Sequence, residues 1–273
     1  TVQDLGRPGH AHLGVPRSGA LDQPALRLAN RLVGNPEGAA GIETTSTGIR
    51  FRAGAPVRIA VTGAGAAVRV GGRAVAWGAA VTVPADAEVE VGAATSGLRS
   101  YVALAGGIEA EDVLGSRSTD LLSGLGPAPL AAGDVVRLGV PGRVPVDAEA
   151  VPRPVTDVLR IDLGPRADWF TTEALAGLDG ATYEVSPASN RIGLRLRGAP
   201  LERSRTGELP TEPMVLGAVQ VPPNGQPVVF LHDHPTTGGY PVVGVVREAD
   251  LVACAQARPG DRLRLRVIPP SAD

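Results

Sequence analysis

The stretch Gly48-Ile-Arg-Phe-Arg-Ala-Gly-Ala-Pro56 recurs later in the chain as Gly193-Leu-Arg-Leu-Arg-Gly-Ala-Pro200. A second pair follows in the same order, since Ala132-Gly-Asp-Val-Val-Arg-Leu138 resembles Pro259-Gly-Asp-Arg-Leu-Arg-Leu265. Apolar and basic residues alternate after a glycine turn, which is typical of a half-buried strand. Gly-Asp turns before strands are common in themselves, but two ordered pairs favour two copies of one β-rich domain. We expect the Gly-Asp strand to close a barrel in each copy.

The composition also favours short strands and turns. The 273 residues include 36 Gly and 25 Pro, while only 3% are aromatic. The apolar residues occur in short runs between Gly, Pro and Asp turns, as in compact β domains. The expected strands include residues 57–62, 81–83, 89–91, 101–104 and 158–163.

Two helices stand out against this β pattern. Asp22 can cap the free amides in the first turn of a helix, and Pro24 fits within that turn. Gly34 can adopt the left-handed conformation that ends a helix. These signals predict a helix over residues 22–33. A shorter helix is expected after Thr171.

The domain boundaries follow from a Pro-rich, unpatterned stretch between the two halves of the repeat. We predict a first domain over residues 1–143, a linker over 144–154 and a second domain over 155–273. The predicted fold is therefore mainly β, with a few short helices.

The charged residues exclude several kinds of chemistry. The formal net charge is −2, and all 26 basic residues are arginine. Without lysine the chain has no P-loop of its own, no Schiff-base lysine and no carrier lysine for covalent biotin. No basic block or aromatic platform predicts nucleic-acid binding. No apolar run reaches the length of a membrane span, so we expect a cytoplasmic protein.

Neither the cysteine nor the histidines predict a reactive site. Cys254 lies in an apolar stretch, where a buried inert thiol is expected. His232 and His234 flank a carboxylate at a spacing that a zinc site can use, but such a site needs a third ligand. The other two histidines, His10 and His12, lie in a predicted turn. We predict no metal site on this chain.

Three polar segments are candidates for ligand binding. Thr236-Thr-Gly-Gly239 offers consecutive amides and two hydroxyls, which can form an anion-binding nest. Arg117 is flanked by serines and offers a planar fork for a carboxylate or phosphate, although Ser118 also fits the cap of a short helix. Ser189-Asn-Arg191 is a turn by default. No Gly-x-Ser-x-Gly motif supports a serine hydrolase.

Several motifs spread over nearly the whole chain carry a family resemblance. They are Thr1-Val-Gln-Asp-Leu-Gly-Arg7, Gly14-Val-Pro-Arg-Ser-Gly-Ala-Leu-Asp22, Asn30-Arg-Leu-Val-Gly-Asn35, Ile42-Glu43, Ala103-Leu-Ala-Gly-Gly-Ile108, Leu114-Gly-Ser-Arg-Ser-Thr-Asp120, Ser189-Asn-Arg191, Gly217-Ala-Val-Gln-Val-Pro-Pro223, and Asp233 with Thr236-Thr-Gly-Gly-Tyr-Pro241. Together they resemble the C subunit of bacterial 5-oxoprolinase, a family also called KipA or allophanate hydrolase subunit 2. The family is related to half of the carboxyltransferase domain of urea carboxylase.

The resemblance implies two cyclophilin-like β-barrel domains, in agreement with the internal repeat. It implies a hydrolase component that opens 5-oxoproline to glutamate with the A and B subunits of the enzyme, at the expense of ATP. The expected cofactors are ATP and Mg²⁺ in the assembled complex. The expected partners are a KipI-like B subunit, in a heterodimer or heterotetramer, together with the A subunit. Family members carry a short strand before the Thr-Val-Gln-Asp motif, so we expect a few residues to precede Thr1.

The resemblance also implies roles for individual residues. Arg117 would hold the substrate carboxylate, and Gln220 would orient the substrate amide. Asp233 or Glu43 would serve in Mg²⁺ binding or proton transfer, as the catalytic carboxylates. The residues expected to bind substrate are Arg117, Ser118, Gln220, Thr236, Thr237, Gly238, Gly239 and Tyr240.

Two alternatives stay open. The urea carboxylase relationship allows an acceptor role in carboxyl transfer from biotin on another chain. The name KipA comes from binding to a kinase inhibitor that resembles the B subunit, which allows a regulatory partner without a site of its own.

Overall fold

A computed structural model describes residues 1–142, 150, 156–207 and 209–269 of the chain. The chain separates into two compact units. The first comprises Thr1–Arg7, Ser18–Asp120 and Gly124–Pro154, and the second comprises Pro8–Arg17, Leu121–Ser123 and Val155–Asp273. Apart from Ala150, the predicted linker 144–154 lies outside the described residues, so the domain boundaries stay a prediction.

The first unit is built from strands that pair mainly with two long central strands. They are β1 (Val2–Gln3), β2 (Gly41–Thr45), β3 (Ile49–Arg52), β4 (Val57–Val70), β5 (Arg73–Val75), β6 (Val81–Val83), β7 (Glu88–Leu104), β8 (Ile108–Glu109) and β9 (Arg137–Leu138). The main sheet has seven strands in the order β1-β2-β7-β4-β5, with β3 paired to β7 and β6 paired to β4. Strands β8 and β9 form a separate two-stranded sheet.

The helix predicted over residues 22–33 is confirmed as α1 (Gln23–Val33). The Asp22 carboxylate accepts a hydrogen bond from the Ala25 amide at 3.0 Å, and Gly34 ends the helix in the left-handed conformation with φ 83°. The buried face of α1 packs on β4 and β7 and carries Leu26, Ala29, Leu32 and Val33.

The strands predicted separately over residues 89–91 and 101–104 are one strand, β7. The intervening Gly-Ala-Ala-Thr-Ser-Gly composition is typical of a turn, yet the strand continues because it pairs with β4 from Ile59↔Leu104 to Val70↔Val89. The register shifts between Gly63 and Val68. Bulges of this kind allow glycine-rich segments to stay within a sheet.

The second unit contains a closed barrel of seven strands. The strands of the second unit are β10 (Val158–Leu163), β11 (Thr182–Val185), β12 (Gly193–Arg197), β13 (Glu212–Pro213), β14 (Ala218–Gln220), β15 (Val228–Phe230), β16 (Thr237–Gly238), β17 (Val242–Val246) and β18 (Arg262–Ile268). The barrel order is β10-β17-β14-β15-β12-β11-β18, and β13 pairs with β16. The mainly β prediction, with barrel architecture and short helices, is confirmed.

Short helices connect the strands of the second unit. The predicted helix after Thr171 is α2 (Thr172–Leu178), whose first turn is capped by the Thr171 hydroxyl. A further helix, α3 (Leu251–Gln256), follows β17. The 3-10 helices of this unit are Ala11–Leu13, Pro165–Trp169 and Glu248–Asp250.

The repeated Gly-Asp strand behaves differently in the two units. In the second unit β18 pairs in parallel with β10 and antiparallel with β11, so it closes the barrel as predicted. In the first unit the matching segment contributes only Arg137–Leu138, which pairs with β8. The prediction that this segment closes a barrel there is wrong, because Val135 is 90% exposed and the segment joins a different sheet.

Alternation within the repeated strands places leucines inside and arginines outside. Leu194, Leu196, Leu263 and Leu265 are buried, whereas Arg195, Arg197 and the arginines of β18 are exposed. The predicted solvated face of arginines is confirmed. None of the helices in the described part combines the length and the hydropathy that crossing a bilayer requires.

The Cys254 thiol is buried, and burial raises its pKa to about 12. Only the thiolate is a good nucleophile. We therefore expect alkylation by iodoacetamide at pH 8 to be at least about a thousandfold slower in the folded chain than in urea. Mass spectrometry of quenched samples measures both rates, and comparable rates would contradict the burial of this thiol.

Gly48, which precedes β3, requires glycine for two reasons. Its φ is +76°, and an added Cβ would clash with the backbone oxygen of Val91. Gly71 has φ +55° with no atom within 4 Å of its Cβ position. Replacement of Gly71 by Ala introduces only left-handed strain, about 1 to 2 kcal/mol, whereas Gly48→Ala should lose about 1 to 3 kcal/mol more through the clash. Urea denaturation of both variants checks this order, and equal losses would contradict it.

Candidate functional site

The Asp4 carboxylate fastens the predicted substrate-binding segment of the first unit. Its Oδ1 accepts hydrogen bonds from the Gly6 amide at 2.7 Å and from the hydroxyls of Ser116 at 2.6 Å and Ser118 at 2.5 Å. Its Oδ2 accepts the Arg117 amide at 2.6 Å. Ser118 therefore does not cap a helix, because its buried hydroxyl is bound to Asp4.

The Arg117 side chain extends from this fastened backbone towards the surface. Its Nε donates to the Ala110 oxygen at 3.1 Å, and its side chain is 43% exposed. The Asp112 carboxylate lies 3.7 Å from one of its terminal nitrogens, a distance beyond a good hydrogen bond. The guanidinium thus keeps donors for a ligand, and its predicted role in carboxylate binding stays a prediction.

Arg7 is a buried residue of the same cluster that sequence reasoning did not select. Its Nε donates to the Val113 oxygen at 3.1 Å, and a terminal nitrogen donates to the Ser118 oxygen at 2.6 Å. Asp4 and Arg7 therefore both bind the segment of residues 113–118. The motif Asp-Leu-Gly-Arg contains both residues, but the sequence alone does not show that both bind residues 113–118.

Glu43, predicted to be catalytic, lies in a buried network of the first unit. Its Oε2 accepts hydrogen bonds from the Tyr101 hydroxyl at 2.8 Å and from the Leu21 amide at 3.0 Å. Arg99 lies 3.7 Å from Oε1. Burial, followed by the charges of Glu43 and Asp22, raises the pKa of Tyr101 well above its ordinary value, so the phenol stays a donor. This geometry suits positioning, and a catalytic role for Glu43 stays a prediction.

Asp233, the other predicted catalytic carboxylate, forms a buried ion pair in the second unit. Arg191 Nε lies 2.9 Å from Oδ2, and a second guanidinium nitrogen lies 3.0 Å from Oδ1. The Asp233 amide donates to the Arg191 oxygen at 3.2 Å. The Asp233 side chain is fully buried and that of Arg191 is 6% exposed. The pair joins a turn before β12 to the loop after β15, and its catalytic role stays a prediction.

The loop after Asp233 does not form the predicted nest. Thr237 and Gly238 form β16, which pairs with Pro213 and Glu212 of β13. Neither Gly238 nor Gly239 adopts the positive φ that a nest requires. The competing long-range strand pairing accounts for the difference.

The side chains around this loop nevertheless leave polar groups for a ligand. Gln220 is nearly buried, and its Nε2 donates to the Tyr240 oxygen at 3.2 Å. Its Oε1 and the hydroxyls of Thr236, Thr237 and Tyr240 have no hydrogen-bond partner among the described residues. A Cβ on Gly238 would lie 2.7 Å from Gln220 Nε2, so this glycine lets the strand approach the amide.

Arg203 supplies a cation beside these groups, and sequence reasoning did not select it. Its guanidinium carbon lies 5.9 Å from the centre of the Tyr240 ring, and a terminal nitrogen donates to the Val221 oxygen at 2.5 Å. Its Nε is buried without a partner, and no carboxylate of the described residues pairs with it. Arg203, Gln220, Thr236, Thr237 and Tyr240 are here called the second-unit polar cluster.

His232 and His234 are packing residues in the loop after β15. His234 stacks on Phe230 with ring centres 5.9 Å apart, and its Nδ1 lies 2.7 Å from the Pro235 oxygen. Burial lowers the pKa of His234 despite that hydrogen bond. His232 is also buried. In the part of the chain that the structure describes, no three His, Cys, Asp or Glu side chains come together as a metal site.

The sequence matches a known family over most of its length. The family model described as carboxyltransferase domain, subdomain A and B, matches residues 13–267. The chain belongs to this carboxyltransferase-domain family.

Two relatives resemble this carboxyltransferase-domain chain over most of their own length. It is 38% identical over 260 residues to the 5-oxoprolinase C subunit of Escherichia coli, covering 94% of this chain and 84% of that protein. It is 31% identical to the 5-oxoprolinase C subunit of Haemophilus influenzae, covering 98% and 88%. The predicted resemblance to the C subunit of 5-oxoprolinase is confirmed.

The related structures include a much larger protein. The crystal structure of K. lactis urea amidolyase superimposes with a TM-score of 0.89 at 29% identity, covering 99% of this chain and 18% of that chain. The carboxyltransferase-domain chain thus spans less than a fifth of urea amidolyase. The predicted relationship to the carboxyltransferase region of urea carboxylase is also confirmed.

The Arg191–Asp233 pair should contribute much more to stability than an exposed pair. Arg191→Met strands a buried carboxylate, which costs about 3 to 5 kcal/mol. Arg247→Met breaks the pair between Arg247 and Asp162, whose two side chains are 41% and 53% exposed, and should cost much less, because solvent screens an exposed pair. Equilibrium unfolding in urea measures both losses. A loss from Arg191→Met no larger than that from Arg247→Met would contradict the structural role of the pair.

Proposed function

We propose that this chain is the C-type component of an ATP-dependent 5-oxoprolinase that opens 5-oxoproline to glutamate together with the A and B subunits. The resemblance to two proteins named as the C subunit of 5-oxoprolinase supports this function, because it extends over 84% and 88% of their lengths. We further propose a cytoplasmic heteromer with a KipI-like B subunit, in a heterodimer or heterotetramer.

The second-unit polar cluster is the observation that carries the proposal in the structure. 5-Oxoproline presents a carboxylate and a lactam amide, so its site needs a cation, an amide partner and hydrogen-bond donors. Arg203 supplies the cation, Gln220 Oε1 can accept from the lactam N–H, and the hydroxyls of Thr236, Thr237 and Tyr240 can donate to oxygen. Gln220 Oε1 and the three hydroxyls have no hydrogen-bond partner among the described residues, and Arg203 has no carboxylate partner there, although one of its terminal nitrogens donates to the Val221 oxygen.

The described residues do not fit ATP and Mg²⁺ on this chain alone. No carboxylate cluster suited to a metal is present among them, and no lysine is available for a P-loop. We therefore assign ATP and Mg²⁺ to the assembled complex. This chain would hold and orient the lactam, while Asp233 and Glu43 would keep their surroundings in place from buried positions.

Two arginines are alternative ligands for the substrate carboxylate. Arg117 was predicted for this role; Asp4 holds its backbone amide, and its side chain is exposed. Arg203 lies against the ring of Tyr240, and the backbone oxygen of Tyr240 accepts a hydrogen bond from Gln220 Nε2. Because the lactam and the carboxylate belong to one small molecule, we favour Arg203 within the second unit.

A carboxyl-transfer function is the second candidate. The description of the matched family and the likeness to urea amidolyase favour it. Since the chain has no lysine, it would act as the acceptor site for carboxybiotin carried by another chain.

The first test measures glutamate release from 5-oxoproline by this chain assembled with the A and B subunits, with and without ATP. We expect ATP-dependent release that disappears when this chain is omitted. Omission of each of the other components serves as the control for heteromeric activity. An assembled complex that releases no glutamate, yet accepts a carboxyl group from carboxybiotin, would favour the second candidate.

Variants then test the polar cluster. Removing a charged hydrogen bond costs about 1.5 to 3 kcal/mol, so Arg203→Met should lower kcat/KM for 5-oxoproline by about tenfold or more, mainly through KM. Gln220→Leu and Thr236→Val should also lower kcat/KM. Arg195→Met removes an exposed arginine of β12 and should change kcat/KM less than about twofold. If Arg117→Met raised KM while Arg203→Met did not, Arg117 would be the residue that binds the substrate carboxylate.

A further inference from the structure

The Gln220 side chain is fixed in the wall of the second-unit barrel. Gln220 ends β14, and its backbone pairs with Val228 of β15 and with Val242 of β17. The register with β17 shifts between Val219 and Gln220, and such an irregularity can change the direction in which a side chain points. Gln220 is also buried. Its amide is therefore confined by the residues packed around it.

The nitrogen of this amide is directed at the protein. Nε2 donates to the backbone oxygen of Tyr240 at 3.2 Å. The sulfur of Met214 lies 4.0 Å from the same nitrogen, and a thioether is a weak acceptor. The Tyr240 oxygen is itself held in place, because the oxygen of the next residue, Pro241, accepts the Val221 amide at 3.0 Å. Both N–H groups of the Gln220 amide thus have an acceptor on the chain.

The amide cannot take the opposite orientation. A half-turn would bring Oε1 to the Tyr240 oxygen, and two acceptors cannot share a hydrogen bond. Gly238 of β16 closes the remaining side, since a Cβ there would lie 2.7 Å from Nε2 and 3.2 Å from Met214 Cγ. The amide is held between Tyr240, Met214 and Gly238, with one fixed direction.

The other end of the amide, Oε1, remains as an acceptor for a ligand. It has no hydrogen-bond partner among the described residues, and it is not one of the buried atoms that lack a partner, so solvent reaches it. A freely turning amide offers a ligand either a donor or an acceptor. The fixed Gln220 amide offers an acceptor alone.

An acceptor fixed in this way distinguishes ring atoms of nearly equal size. A ring N–H donates to Oε1, whereas a methylene displaces the water from Oε1 and supplies no hydrogen bond. A ring oxygen is worse, because its lone pairs would face those of Oε1. Sites that bind a substrate N–H reject analogues without it far more strongly than apolar pockets reject a missing methylene.

From this geometry we infer that Gln220 makes the second-unit polar cluster specific for rings with an unsubstituted N–H beside the carbonyl, which means lactams and not lactones, cyclic ketones or N-alkylated lactams. Met214 and Gly238 are positioning residues that fix the direction of the amide. This inference rests on the proposed function, since it takes the second-unit polar cluster as the substrate site.

Two analogues of 5-oxoproline test the specificity. In 3-oxocyclopentane-1-carboxylate a methylene replaces the ring N–H, and in 5-oxotetrahydrofuran-2-carboxylate an oxygen replaces it. Isothermal titration calorimetry measures their binding to the assembled complex in the presence of a non-hydrolysable ATP analogue. Each should bind at least about tenfold more weakly than 5-oxoproline, because Oε1 loses its donor.

The variant Gln220→Leu should abolish this selectivity. It should weaken 5-oxoproline binding about tenfold and leave the binding of the cyclic ketone within about twofold, so the two affinities become similar. Gln226→Leu is the matched control in the same unit. Both ends of the Gln226 amide are bonded to the backbone of Gly198, so this variant should keep the tenfold difference.

A second pair of variants covers the case in which Gln220→Leu does not fold. Gly238→Ala places a methyl group against Nε2 and should reduce the selectivity for the lactam at least about threefold. Gly177→Ala, in α2, meets no atom within 4 Å and should leave the selectivity unchanged.

The outcomes separate this inference from the proposed function. A complex that neither releases glutamate nor binds 5-oxoproline would contradict the proposed function and the inference together. The inference alone is overturned if a complex that releases glutamate binds the cyclic ketone as tightly as 5-oxoproline. It is also overturned if folded Gln220→Leu keeps the full difference between the two ligands.

Discussion

The buried ion pair between Arg191 and Asp233 sets the course of the loop on which the proposed chemistry depends. Arg191 precedes β12 and Asp233 follows β15, two strands that pair within the barrel. Desolvating two charges is costly unless their geometry is good and their other hydrogen-bonding sites are filled. The bidentate contact and the backbone hydrogen bond between the same residues meet that condition. The chain leaves this pair in a fixed direction, towards Thr236 and Tyr240.

The first unit uses the same principle with a different residue set. A single carboxylate, that of Asp4, gathers two hydroxyls and two amides around residues 116–118. Hydrogen bonds to a charged acceptor are stronger than those between neutral groups. Asp4, in the N-terminal motif, thus fixes the backbone conformation at Arg117. In both units a buried carboxylate fixes the backbone next to residues of a proposed site.

Local patterns predicted the parts of the fold that depend on local physics. Helix α1 has its cap, its proline and its left-handed glycine within or next to its own residues, so its limits could be predicted. The continuity of β7 could not, because a turn-like composition stays extended only through pairing with β4. The anion-binding nest predicted at Gly238 does not form for the same reason, because β13, which is distant in sequence, pairs with that segment. Arg203 was missed because its neighbours Val221 and Tyr240 are distant in sequence.

The position of β3 in its sheet has a consequence for how copies of the chain meet one another. Among the described residues β3 pairs with β7 alone, so it is an edge strand of its sheet. Such edges are templates for pairing with the same strand of another molecule, and natural proteins protect them with charge. Arg52 of β3 is exposed and has no carboxylate partner among the described residues, so two copies aligned edge to edge would bring guanidinium groups of like charge together. Electrostatic repulsion would then oppose aggregation through this edge.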